Sequence, residues 1–115
     1  MATNEELNTK LYEKMFSEQE NFRDWLLKQP PEEILNHTYE YTVREDILMA
    51  LEYLELESPQ AKALLSSPTP LADVYSEFEK RETNYMDVVS DCVESRADEI
   101  VQRHKAAVYP FPVSY

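Results

Sequence analysis

No glycine occurs anywhere in the 115 residues of this chain. Tight hairpin turns, phosphate-cradling loops and dinucleotide-binding turns lean on residues that tolerate positive φ or close backbone approach, glycine above all. The absence argues against a P-loop or a dinucleotide fold, and for helices joined by proline- and serine-containing loops. Cysteine is nearly absent too: Cys92 stands alone. A single thiol excludes an intramolecular disulfide framework and a thiolate-rich zinc site.

Basic residues are scarce, 11 against 23 acids, for a net charge of −12 and a pI near 4.5. Such a chain repels nucleic acid and anionic membrane, so direct binding to either is not expected. Its natural complement is a protein with a basic surface, including one that ordinarily holds DNA or RNA. No apolar run approaches the roughly 20 residues needed to span a bilayer. The opening MATNEELNTKLYEK has neither the basic start nor the apolar core of a signal peptide, and a cytoplasmic protein is expected. Catalytic signatures are missing as well. There is no Gly-x-Ser-x-Gly and no Cys/His pair with an orienting group, and carboxylate pairs arise by chance in so acidic a chain. The expectation is a protein that is not an enzyme and carries no cofactor.

What the chain does have is helical periodicity. Thr3 and Glu6 form a capping box, and a helix is expected from Asn4 to about Lys28 with Leu7, Leu11, Met15, Phe22 and Leu26 as its buried stripe. Lys10, Lys14, Glu18 and Asp24 fall on its wet side. Pro30-Pro31 ends this helix, and Pro31 with Glu32 and Glu33 starts the next. Residues 31–57 read mostly as helix; Thr42 with Glu45 resembles a second capping box and predicts a kink or break near Tyr41. Ser58-Pro59 opens a short helix whose Ala61, Leu64 and Leu65 can plug one end of the core.

The stretch from Thr69 to Lys105 predicts one long helix. Leu71, Phe78, Tyr85 and Cys92 fall seven residues apart and mark a seam, with Cys92 packing as a small hydrophobe. At about 1.5 Å per residue it would run roughly 50 Å, longer than a compact domain of this size is wide. Either the rest of the chain or a second copy must lie along it. The expected fold is therefore all-α, a small bundle of about four helices organised on one long helix over about 70–105. The expected division is one helical domain, 1–105, and a tail, 106–115.

His37, with Glu33 and Glu40 nearby, is the most metal-like cluster. A carboxylate-bridged di-metal bundle needs Glu-x-x-His on two helices. Here Glu-x-x-x-His occurs once, so a helix-surface or capping histidine is expected and no metal. The tail AAVYPFPVSY has no charged side chain, and its prolines favour an extended conformation. Tyr109 and Phe111 could dock into a partner's groove or fold back over the bundle's end.

Charge is uneven along the chain. Residues 31–57 hold eight acids against Arg44 alone. These acids are either a solvated face or a binding face that imitates nucleic-acid phosphates. Duplex DNA carries a charge about every 1.7 Å of axis, whereas eight acids over 27 helical residues give one per roughly 5 Å. One helix alone is too sparse; a neighbouring acidic face or a dimer would come closer. The candidate partner-binding residues are Glu40, Glu45, Asp46, Glu52, Glu55, Tyr109 and Phe111.

The stretches FRDWLLKQPPEEILNHTYEYTVREDILMALEY, QAKALL and SPTPLADVYSEFEKRETNYMDVVSDCVESRA together span most of residues 22–97. Their general run resembles a family of small acidic helical bacterial proteins of unknown function associated with mobile and conjugative elements. The resemblance involves no catalytic motif and transfers no site residue. It implies a setting in which small proteins blunt host nucleic-acid defences. Two functions follow as expectations. One is an interaction module, or nucleic-acid mimic, that blocks the basic groove of a nucleic-acid-binding enzyme. The other is a helical adaptor that dimerises through the long helix, its acids merely solubilising.

Overall fold

The computed structural model describes residues 2–81 and 84–108, and among them all regular structure is helical. In order, the helices are α1 (Asn4–Leu27), α2 (Pro31–Tyr53), α3 (Ser58–Leu65), α4 (Pro70–Arg81) and α5 (Tyr85–Val108). Contacts divide the chain into two units, Met1–Lys80 and Arg81–Tyr115.

The first unit is a small helical bundle. The Thr3 hydroxyl accepts from the Glu6 N–H at 3.1 Å, the expected cap of α1. Pro31 sits in the first turn of α2 with Glu32 and Glu33, where acids meet the positive end of the helix dipole. Leu11 and Met15 of α1, Leu48 of α2 and Leu71 of α4 form the buried centre. Leu64 and Leu65 of α3 pack against it and Ala61 is fully buried, so the short helix closes the core as expected.

Three polar residues of α1 tie the other elements down. Asn8 donates from its amide to the Leu56 carbonyl at 2.8 Å and accepts from the Leu56 N–H at 3.1 Å, clasping the α2–α3 connector. The Lys14 ammonium donates to the carbonyls of Leu65 and Ser67 at 2.8 and 2.6 Å, placing a cation at the C-terminal end of α3. The Glu18 carboxylate accepts from the Leu71 and Ala72 N–H groups, both at 2.8 Å, and so caps the start of α4. Lys14 and Glu18 are thus not on a wet side.

Two further expectations change. No break occurs near Tyr41: α2 runs unbroken from Pro31 to Tyr53. Thr42 does not cap a helix start, because its hydroxyl donates to the Thr38 carbonyl one turn back, at 3.0 Å. Glu45 is engaged by Gln19 of α1 instead. On α1 the buried stripe takes in Gln19, with 2 % of its surface exposed, and leaves Phe22 half-buried.

The second unit is built on α5. The single helix expected over about 70–105 is described as α4, ending at Arg81, and α5, beginning at Tyr85. Asn84 lies in a bend, and its carbonyl accepts from the Val88 N–H at 2.9 Å, so α5 starts from its own cap residue. The expected seam does not persist as a buried line. Leu71 is fully buried, but Phe78 is 36 % and Tyr85 52 % exposed. Cys92 is exposed rather than packed. Every residue of α5 from Tyr85 to Ala106 is exposed. Helix continues to Val108, past the expected tail boundary at residue 106, and Tyr109 and Phe111 lie outside the described residues.

Candidate protein-interaction surface

Arg44, the sole base among residues 31–57, faces inward. Its Nη2 and Nε donate to the Glu40 carboxylate at 2.7 and 3.0 Å, and Nη1 lies 3.8 Å from Glu18. The guanidinium carbon lies 4.2 Å from the centre of the Phe22 ring and 5.9 Å from that of Tyr75. The buried cation is thus held by two carboxylates and an aromatic face. It leaves the outward side of α2 without a basic counterweight. Glu32, Glu33, Asp46, Glu52, Glu55 and Glu57 are all exposed.

The structure separates the expected partner-binding acids. Glu40 is half-buried and serves Arg44; its other oxygen lies 3.4 Å from His37 Nδ1. Glu45 is half-buried and accepts from the Gln19 amide at 3.0 Å. The Tyr41 phenol stays protonated to higher pH than usual, chiefly through burial and then through the charge of Glu45 and a hydrogen bond to it. Asp46, Glu52 and Glu55 remain outward. Glu52 accepts a long hydrogen bond, 3.4 Å, from the Tyr12 hydroxyl. Burial, then the charge and hydrogen bond of Glu52, likewise push the Tyr12 phenol up.

Glu52 and Glu55 come together with residues that no helical pattern singled out. The start of α1 and the end of α2 enclose an open groove of about 900 Å³, lined by Glu5, Glu52, Glu55 and Glu57 with Asn4, Asn8, Tyr12 and Leu54 among its walls. Among the described residues no basic side chain lines it. The residues that build it, Glu5 and Glu57, lie more than 50 positions apart in sequence, and Asn8 brings them together by clasping Leu56. The signal available in the sequence was the acid run Glu52–Glu57, but its partner on α1 was not.

The same helix also bears apolar residues outward. Glu32, Leu35, Tyr39, Thr42, Asp46, Met49 and Tyr53 recur at alternating spacings of three and four, and all are exposed. Leu35 is 71 %, Met49 53 % and Tyr53 83 % exposed. Tyr39 packs its ring 6.5 Å from that of Phe78 on α4.

His37 sits between Glu33 and Glu40, its ring nitrogens 3.7 and 3.4 Å from their carboxylates, with the Trp25 ring edge-on at 5.3 Å. Among the described residues no group of three or more His, Cys, Asp or Glu side chains is placed to hold a metal ion. Among those residues, too, no helix is long and apolar enough to cross a membrane.

These features define an all-helical acidic protein whose most distinctive surface is an acid-lined groove beside an exposed apolar stripe. The chain belongs to the family described as a protein of unknown function, DUF3848, which matches residues 7–101. No match is found among curated proteins, and none among solved structures.

Proposed function

We propose that the protein is a non-enzymatic interaction module that engages a basic protein partner through the acid-rich segment 31–57. The supporting observation is the inward placement of Arg44. Its charge is neutralised by Glu40 and Glu18, so it adds no positive charge to the surface that carries the exposed Asp46, Glu52 and Glu55. Complementary charge of this kind speeds encounter and selects partners more than it adds raw affinity. In its narrower form, the partner is a nucleic-acid-binding enzyme of the host of a mobile element. The acids then stand where phosphates would stand in its basic groove.

Charge reversal is the direct test. Asp46→Lys, Glu52→Lys and Glu55→Lys together change the formal charge from −12 to −6, each replacement adding two. All three sites are exposed, so each change moves stability by only about 0.5 kcal/mol. The triple variant is expected to keep its circular dichroism spectrum and lose retention on a column carrying a basic protein of the native host. Retention undiminished by the reversal excludes the acidic surface as the contact. For the narrower form, duplex DNA is expected to compete with the wild-type chain for that same partner.

A second reading, a helical adaptor or assembly protein that dimerises, is favoured by α5. Its Met86, Val89, Val93 and Ile100 share one face and are exposed at 65, 37, 64 and 39 %. A monomeric mass by light scattering at high concentration rejects it.

A further inference from the structure

We infer that the outward stripe of α2 is a docking strip for an amphipathic helix of another protein, one that flanks its apolar seam with lysine or arginine. The inference rests on the proposed basic partner and names the form that partner takes.

Spacing comes first. Leu35, Tyr39, Met49 and Tyr53 lie on one line of three-and-four steps with Thr42 and Asp46 between them; Leu35, Met49 and Tyr53 are more than half exposed, while Tyr39 keeps part of its surface open beside Phe78 of α4. Such a seam is the pattern that a second helix covers, because side chains at these positions form a row into which the facing helix sets its own. From Leu35 to Tyr53 the rise is about 27 Å, five helical turns. A flat basic surface would touch such a ridge at few points. A helix laid alongside buries all of its apolar side chains.

Charge then selects the helix. Asp46 stands within the stripe and Glu32 at its end, while Glu45 and Glu52 border it on the α1 side. No exposed base occurs on α2, since Arg44 is turned inward. A covering helix with acids at its flanks would meet only like charge; one with Lys or Arg there satisfies Asp46 and Glu52. A second copy of this chain is a poorer occupant. Each copy carries −12, and α5, the helix it could offer, bears Asp87, Asp91, Glu94 and Asp98 along one face.

Two synthetic helical peptides of roughly 20 residues, identical in a leucine seam and differing only in Lys or Glu at the flanks, test this against the full-length chain by fluorescence anisotropy. The Lys peptide is expected to bind and the Glu peptide not. The double variant Met49→Ser/Tyr53→Ser keeps all charges and is expected to weaken the Lys peptide by about tenfold or more. Val93→Ser on α5 is expected to leave it unchanged. Binding that is indifferent to the stripe variant but lost on reversal of Asp46, Glu52 and Glu55 overturns the strip and leaves the basic-partner reading standing. Equal binding of both peptides overturns both. Loss on Val93→Ser moves the site to α5, and self-association abolished by the stripe variant gives the strip to a second copy; either overturns the inference.

Discussion

Glu18 shows how a residue can be misread from its neighbours on a helix. Its position among the polar residues of α1 suggested solvent, yet its carboxylate accepts the first free N–H groups of α4 and lies beside the buried Arg44. Helical periodicity reports which residues share a face, but not which distant helix end will need a partner. Gln19 escapes the pattern for a related reason. It occupies the next stripe position after Met15, four residues on, but a polar amide carries no apolar signal. Its Nε2 donates to Glu45 and to the Tyr41 carbonyl, while Oε1 is buried with no protein partner. Glu18→Ala removes an end cap and so leaves the Leu71 and Ala72 N–H groups without their acceptor, a loss of about 0.5–2 kcal/mol. The expected result is a fall in Tm of several degrees. Glu18→Gln, which keeps one acceptor oxygen, is expected to fall between that variant and wild type. Glu20→Ala, at an exposed site one turn-fraction away, serves as control and should barely shift the melt.

Helix starts were the legible part of the elements. Thr3, Pro31 and Ser58-Pro59 each announced one, because caps and first-turn prolines act through local chemistry that a sequence displays directly. Two boundaries are hidden in the sequence. Thr42 has the composition of a cap but lies inside a helix already paid for by core contacts at Val43 and Leu48, so its hydroxyl turns back to Thr38. Asn84, with Asp87 three residues on, is a start that the heptad pattern running through it hides, although asparagine is among the best cap residues. The consequence for α5 is measurable. A helix whose described side chains are all exposed gains little from packing, and isolated helices are marginal even when long. Native-state hydrogen exchange of the dilute protein should show the amides around Leu11 and Met15 opening only with global unfolding. Those between Val89 and Ile100 should exchange orders of magnitude faster. Protection of α5 equal to that of α1 would mean that its apolar face is covered in solution. If that protection vanished on dilution, the cover would be a second copy.

At the scale of the whole molecule, composition foresaw the class, and placement decided what the class could do. The all-helical architecture followed from missing glycine and regular apolar spacing. The acid excess was plain, but not that Arg44 would be withdrawn from the surface, nor that Glu5 would join Glu52, Glu55 and Glu57 around one groove. Both depend on contacts between residues far apart in sequence. The same imbalance governs stability. Glu32, Glu33, Asp46, Glu52, Glu55 and Glu57 are exposed, and α2 offers no exposed base to offset their mutual repulsion. Opposing this are the exposed pairs Arg96–Glu99 and Arg103–Glu99 at 3.0 and 2.6 Å on α5, which salt would weaken. Exposed pairs of this kind are worth about 0–1 kcal/mol each, and the Arg44–Glu40 pair is sheltered from screening by burial. A net charge of −12 therefore has the larger effect. Raising NaCl from about 10 mM to about 150 mM shortens the screening length from roughly 30 Å to roughly 8 Å. That range covers the distances along α2, and Tm is expected to rise by a few degrees, on the order of 1 kcal/mol. The Lys triple variant at Asp46, Glu52 and Glu55, with half the net charge, should melt higher than wild type at low salt and respond less to added NaCl. A wild-type Tm that falls with salt would show instead that surface ion pairs outweigh the repulsion. The acidic face would then be internally compensated, with little field left to draw a basic partner.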